Sequence, residues 1–326
     1  MAEQLVMNIN VDELARSGAI INKIRTYYNS KIVGQSQLGV SLLVSMIANG
    51  HILLESVPGL AKTTAAKVMT EAVGGSFSRV QCTPDLLPSD IIGTQTFNMT
   101  NNTFETKIGP VYANFLLLDE INRSSAKTQS AMLEAMQERS VSIGGQTYKL
   151  PPVFIVIATQ NPTGASGTSL LPDSQIDRFM IRLSIGYPSA KDEKAMIESR
   201  KNGFNPMDNV KTVCDVNTIL QMQAEVNNVF MHDNVIDYIV TLINKTRGHK
   251  NLIRGGSPRA TLALTSMAKA CAYLNGRNYV VPSDVQKVFL PVITHRLMLT
   301  PEAEINGVKT NDIAQEILKD TLSPKI

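Results

Sequence analysis

A chain of 326 residues, 43% apolar and 18% charged, is long enough to bury a full core and is neither a disordered tract nor a fibre. The net charge of +3 is too small to mark a nucleic-acid binder, and the three cysteines, Cys82, Cys214 and Cys271, are too few and too far apart for a disulfide framework or a zinc cluster. The opening "MAEQLVMNINVDEL" lacks the basic start and apolar core of a signal peptide, and no apolar run is long enough to span a bilayer, so the expectation is a soluble cytoplasmic protein.

In chain order, Leu14, Ile20, Ile21, Ile24 and Tyr28 recur at helical spacing and predict a helix from about Val11 to Tyr28. "KIVGQ" interrupts it, and a second apolar helix is expected from Gln37 to Asn49. "HILLES" reads as a buried strand, followed by a Gly/Pro turn and a helix from Thr63 to about Ala72. "FSRVQC", "NFLLLDE", "VFIVIATQN" and "FMIRLSIGY" are four further strand candidates, and Ser125 to Arg139 is helical. Near-continuous apolar strands alternating with helices predict an α/β domain with a parallel sheet covered on both faces.

After Tyr187-Pro188 the pattern becomes helical, with four segments and no convincing strand. Ser189 and Asp192 suit a capped helix start. Asp233 to Thr246 places Val235, Ile236, Ile239, Val240 and Ile243 on one face. Ser257-Pro258 opens a helix that Gly276 closes, and Ser283 starts the last. The expected division is an α/β domain over residues 1–188 and a small all-helical domain over 189–326.

"SVPGLAKT" (Ser56 to Thr63) stands between a strand and a helix, where a phosphate-binding loop of the form G-x-x-x-x-G-K-[ST] would stand. Lys62 would reach the β- and γ-phosphates, Thr63 would ligate Mg²⁺, and backbone N–H groups at the helix start would hold the phosphates. Ser56 and Ala61 occupy the glycine positions; Ser56 is the more consequential, because glycine there can supply unusual backbone angles. A Lys-Thr pair after a turn can also be a plain helix start. The second element is "FLLLDE", a buried strand ending in Asp119 and Glu120. Ligands of α/β sheets lie beyond the carboxyl ends of the strands. Asp119 suits a metal and Glu120 suits a general base on an attacking water. A third strand ends in Gln160-Asn161, whose amides suit either a water or an ordinary turn before Pro162.

"VPGLAKT", "QCTPDLLPSDIIGT", "LLLDEINRSSAKTQSAMLEAMQERSV", "IATQNP" and "LLPDSQIDRFMIRLSIGYPS" together resemble the MoxR family of AAA+ ATPases over nearly the whole chain. That family's loop resembles G-x-P-G-x-A-K-T, so Ala61 is normal for it and Ser56 is the one departure in this loop. The resemblance implies a P-loop AAA+ core followed by a helical lid, with ATP or ADP and Mg²⁺ as ligands. It makes Pro58, Gly59, Leu60, Ala61, Lys62, Thr63 and Thr64 the nucleotide loop, and Thr63 and Asp119 the metal residues. It makes Glu120 the catalytic carboxylate and Asn161 the residue that positions the water. Val33 and Gly34 of "IVGQ" resemble the segment against the adenine, with a helix-ending glycine as the alternative. Arg259 of "GSPRA" resembles a γ-phosphate sensor, with an exposed helix-start charge as the alternative. Arg178 of "IDRF" resembles an arginine finger acting on the neighbouring subunit, with an ion pair to Asp177 as the alternative; Arg123 and Arg182 are lesser candidates. Residues 83–113 resemble the helix-two insert, directed at the ring pore or a client. "PTGASGTSLLPDSQ" departs from the family, which is acidic and aromatic there.

The implied activity is that of a ring-forming ATPase, hexameric by analogy, that remodels client proteins with a separate von Willebrand factor A-domain partner. A nucleic-acid or chelatase-type motor and a nucleotide switch with little hydrolysis are the alternatives; the mild charge and absence of a basic tract weigh against nucleic acid.

Overall fold

The computed structural model describes residues 9–56, 59–160, 171–201, 203 and 205–325. Pro58, Asn161 and the loop at 163–169 singled out above lie outside the described residues. The chain opens with helices α1 (Val11–Lys31) and α2 (Ser36–Ile47), then strand β1 (Ile52–Ser56), α3 (Lys62–Ala72) and β2 (Phe77–Gln81). Next come α4 (Pro88–Ile92), the hairpin β3 (Gly93–Asn98) and β4 (Thr103–Ile108), β5 (Phe115–Asp119) and α5 (Ala126–Glu138). A second hairpin, β6 (Ser140–Ile143) and β7 (Gln146–Lys149), precedes β8 (Ile155–Gln160), α6 (Asp173–Ile176) and β9 (Ile181–Ile185).

Five strands form a parallel sheet in the order β2-β5-β8-β1-β9. Alternate side chains divide between its faces, as the two-residue period of a strand requires. Leu53, Leu116, Leu118, Val156 and Ala158 pack with Met132, Leu133 and Met136 of α5. Ile52, Leu54, Leu117, Ile155 and Ile157 face the other way, into a core shared with α1, α2 and α3 and with the C-terminal helices. Burial on both faces explains why these strands read as apolar runs without alternation.

The C-terminal part contains α7 (Ala190–Lys201), α8 (Val216–Asn227), α9 (Asp233–Arg247), α10 (Pro258–Leu274), α11 (Pro282–Ile293), α12 (Pro301–Ile305) and α13 (Thr310–Lys319). The expectation of four helices missed α8, α12 and α13. The expectation of no strand is also corrected, because β10 (Leu252–Arg254) pairs antiparallel with β11 (Met298–Leu299). These strands are too short to show a period. Ser257 caps α10, accepting from the Ala260 N–H, with Pro258 at the first helical position. Ser189 and Asp192 cap the start of α7 reciprocally: the Ser189 hydroxyl donates to Asp192 Oδ2 at 2.6 Å and accepts from the Asp192 N–H at 3.2 Å.

Candidate active site

The loop after β1 enters α3 through two left-handed residues, Gly59 at φ +86° and Ala61 at φ +54°. Ser56, where the sequence raised concern over backbone angles, is instead the last residue of β1, paired with Ile185 of β9. The demand for a left-handed backbone therefore falls on Ala61, the position that looked harmless. A non-glycine residue held there carries strain, a cost that recurs at ligand-binding loops.

Gly59, Leu60, Ala61, Lys62, Thr63 and Thr64 line one wall of a cleft of about 460 Å³. Asp119 and Glu120 at the end of β5, with Arg79 and Gln81 at the end of the adjacent β2, line the rest. The parallel sheet brings them together: Gln81 and Asp119 are direct partners in the register of β2 and β5. Burial lowers the Lys62 ammonium's affinity for its proton, and the charges of Asp119 and Glu120 act against that. For Asp119, burial works to raise the pKa. It is outweighed by the Thr159 hydrogen bond, by Arg79 and by Lys62, so the carboxyl titrates below its ordinary range and is a carboxylate at neutral pH.

One buried hydroxyl holds the Asp119 carboxylate and the Glu120 backbone. Thr159, on β8, donates to Asp119 Oδ1 at 2.7 Å and accepts the Glu120 backbone N–H at 2.8 Å. Glu120 itself is left-handed, at φ +58°, which turns the chain sharply as β5 ends. Its Oε2 lies 3.1 Å from Arg123 Nε and accepts the Gln81 amide at 3.2 Å. Arg79 Nη2 is 2.6 Å from Asp119 Oδ2 and 3.1 Å from Gln81 Oε1. Arg79, Gln81 and Thr159 were missed in the sequence. The signal available was positional: each stands at or near the carboxyl end of a strand that flanks Asp119.

Gly34, at φ +75°, lines a separate cavity of about 190 Å³ with Gln35, Leu38, Leu183, Ile185 and Tyr187. Val33, named with it, is not among the residues that line this cavity.

Arg178 and Arg259 are brought together, but away from Lys62. They line a cavity of about 280 Å³ with Gly50, His51, Met180 and Arg296. His51 immediately precedes β1 and Met180 immediately precedes β9, so this cavity lies at the amino ends of the parallel strands. Lys62 lies beyond their carboxyl ends, one strand length away, roughly 17 Å for five residues. Arg123 contacts Glu120 within the same chain, and Arg182 lies on β9 beside Leu53 of β1. Asp177 takes Arg296 as its close ionic partner, at 2.7 Å, with Arg259 at 3.9 Å. The buried Nε of Arg178 has no hydrogen-bond partner among the described residues.

Among the described residues no three His, Cys, Asp or Glu side chains cluster as a metal cage. A cleft with one anionic, proton-poor carboxylate and a neighbouring Thr63 fits Mg²⁺, which takes one or two protein oxygens and draws its other ligands from phosphate and water. That a guanidinium already rests on Asp119 Oδ2 shows the oxygen to be a cation position.

Comparison with known proteins agrees with this geometry. Residues 51–181 match the model of the ATPase family associated with various cellular activities (AAA), and residues 244–317 match the AAA lid domain. The chain is 42% identical to Chaperone MoxR1 of Mycobacterium tuberculosis, covering 90% of this chain and 80% of that one. It is 40% identical to the uncharacterised protein YeaC of Bacillus subtilis, over 94% of this chain and 95% of the relative. It is 30% identical to the protein MoxR of Paracoccus denitrificans, over 85% and 88% of the two chains. A crystal structure from Cytophaga hutchinsonii, described as a candidate ATPase, superposes with a TM-score of 0.90 at 38% identity, covering 96% of this chain and 98% of that one.

Proposed function

The chain belongs to the MoxR family of AAA+ ATPases, and from that membership we propose that it hydrolyses Mg²⁺-ATP at sites shared between the subunits of a ring and uses the cycle to remodel client proteins. The observation that carries the proposal is the convergence of Lys62, Thr63, Asp119 and Glu120 on one cleft at the carboxyl ends of the sheet.

In this reading the backbone N–H groups at the start of α3 and the Lys62 ammonium receive the β- and γ-phosphates. Thr63 and Asp119 hold the metal, which when bound neutralises charge on the phosphate oxygens. Glu120 accepts a proton from the attacking water as it adds in line to the γ-phosphorus, and ADP leaves on the opposite side. Thr159 holds the Asp119 carboxylate with one hydrogen bond and the Glu120 backbone with the other, which fixes where the Glu120 side chain starts. The Gly34 cavity, with the exposed ring of Tyr187 at its edge, takes the adenine. Asn161, by its likeness to the family, aligns the water.

Arg178 and Arg259 stand a strand length from their own chain's Lys62. That separation supports a role for both on a neighbouring subunit's nucleotide, where cations stabilise charge on the transferring phosphoryl group. Arg259 is thus assigned across the interface and not to its own cleft. The β3–β4 hairpin, where Phe97 and Phe104 pair edge to face at 5.1 Å and Met99 is 89% exposed, supplies an apolar tip for a client. A von Willebrand factor A-domain protein is the partner the family likeness suggests. We place the division between core and lid at 188/189, with the insert at about 83–113. No described helix is long and apolar enough to cross a membrane. Three free cysteines suit a reducing compartment, and we assign the cytoplasm.

The test is steady-state ATPase activity against protein concentration, with assembly followed by light scattering and Glu120→Gln as the control. Specific activity that rises with assembly and vanishes in the variant supports shared sites. ATP binding without turnover at any concentration would point to a switch.

A further inference from the structure

We infer that Arg79 is a positioning residue that stands in for the metal at Asp119, so that the Arg79–Asp119 pair and a divalent cation exclude one another and metal binding must move the guanidinium aside. This rests on the nucleotide reading above. Arg79 Nη2 is 2.6 Å from Asp119 Oδ2, while the other carboxylate oxygen, Oδ1, receives the Thr159 hydroxyl at 2.7 Å. Oδ2 is therefore the oxygen with a replaceable partner. Thr159 is fully buried on a central strand, whereas Arg79 sits on the edge strand β2 with 47% of its side chain exposed. Arg79 can swing into solvent without unpacking anything; Thr159 cannot.

Electrostatics makes the exclusion. A guanidinium at hydrogen-bond distance and a divalent cation on the same oxygen would stand a few ångströms apart, and like charges at that range repel strongly in a partly buried site. In the metal-free state Arg79 offsets repulsion among Asp119, Glu120 and incoming phosphates. Once a metal takes over that task, Arg79 is surplus on Asp119. Its departure also removes the donor on Gln81 Oε1, 3.1 Å away. Gln81 in turn donates to Glu120 Oε2 at 3.2 Å, so an exchange of cations at Asp119 reaches the second carboxylate through two side chains.

The experiment measures ADP affinity calorimetrically on the full chain, in EDTA and in excess Mg²⁺, and takes the ratio of the two Kd values as the metal's contribution. Arg79→Gln is expected to raise that ratio about three- to tenfold, by strengthening binding in Mg²⁺, weakening it in EDTA, or both. Arg79→Lys, which keeps a cation but loses the fork that spans Asp119 and Gln81, is expected to give a smaller rise and covers the case in which the Gln variant misfolds. In an Asp119→Asn background, Arg79→Gln is expected to leave the ratio unchanged. A purely structural Arg79 would weaken ADP alike in both media. An unchanged ratio in the otherwise unaltered chain overturns the inference. An equal rise in the Asp119→Asn background also overturns it, because that rise would reflect general charge. Failure of the unaltered chain to bind ADP in either medium would overturn the nucleotide reading itself, and this inference with it.

Discussion

Arg296 reaches from the turn after α11 to Asp177 before β9, its Nε 2.7 Å from Asp177 Oδ1, and ties the helical C-terminal part to the sheet. Its side chain is 2% exposed and also donates to the carbonyls of Asp177, Phe179, Met180 and Val292. Arg296→Met leaves Asp177 without its close ionic partner and those carbonyls short of a donor. The expected loss is about 3 kcal/mol, read by urea unfolding. Ser257→Ala removes a hydrogen bond to Asp177 and the α10 cap, and is expected to cost about 1 kcal/mol.

Thr159→Val preserves the shape of the side chain and deletes the hydroxyl that serves the Asp119 carboxylate and the Glu120 backbone. The Glu120 N–H loses its acceptor and Asp119 loses a donor. Stability is expected to fall by about 1–3 kcal/mol, and turnover by about tenfold or more because Glu120 is no longer held in place. Thr159→Ser keeps the hydroxyl and is expected to recover most of the turnover. Equal activity in the Val and Ser variants would remove Thr159 from the account of the site.

His51 is neutral in the fold. Its Nδ1 accepts the Val156 N–H at 3.0 Å and Nε2 donates to the Met136 carbonyl at 3.1 Å, leaving no place for a second ring proton. Burial first, and Arg139 second, depress its pKa to about 3. Burial likewise holds His295 well below the usual range. An unfolded histidine takes up its proton near pH 6.5, so below that pH the unfolded state binds more protons than the folded one. The His51 contribution is complete above pH 6.5 and is lost as pH falls toward 3, at about 1.4 kcal/mol per pH unit for one proton. Urea unfolding between about pH 7.5 and 5.5, on either side of that unfolded pKa, checks this, and His51→Gln is expected to flatten the slope by about half a proton across that range and by nearly one proton at its acid end.

The cores of the central strands β1, β5 and β8 were legible because each is a short apolar run between turn residues, and "NFLLLDE" differs from observed β5 only at its ends. The α8 helix was legible as well, because Val216, Ile219, Met222 and Val226 recur at three- and four-residue spacing behind the Asp215 cap, although the expectation above passed over it. Both carboxylates and the lysine could be read from local sequence. The Arg79–Asp119 contact could not, since it depends on β2 lying next to β5, which spacing along the chain does not reveal. Nor could the position of Arg259, because a motif fixes the start of a helix but not the end of the sheet it faces.

Ala61 offers a cheap test of the loop. At φ +54° an L side chain is strained, and glycine is not. Ala61→Gly is expected to stabilise the chain by about 0.5–1 kcal/mol, measured by thermal or urea unfolding, because relief of strain outweighs the added freedom of the unfolded chain. ADP affinity is expected to change little, since the backbone N–H groups remain. A destabilised variant would mean that the loop relaxes out of the left-handed region in solution.

The separation of Arg178 and Arg259 from Lys62 makes the strongest demand on assembly. If each site takes Lys62 and Glu120 from one subunit and the arginines from the next, a Lys62→Ala chain and an Arg178→Ala chain are each inactive alone. Mixed before assembly, they form some interfaces in which an intact cleft meets intact arginines. With random mixing at equal amounts, roughly one interface in four is intact, so recovery of up to about a quarter of the unaltered activity is expected, less where neighbouring sites must act together. An Arg259→Ala chain in place of Arg178→Ala is expected to behave the same way, because both arginines lie at the same end of the sheet. The control mixes Lys62→Ala with Glu120→Gln. Both chains are damaged in the cleft, so no interface holds a whole one and no recovery is expected. No recovery from the first mixture despite assembly seen by light scattering would place the arginines in their own chain's cycle and return the lid to a moving part that closes on its own nucleotide; activity from the control pair would mean that Lys62 and Glu120 do not serve one cleft.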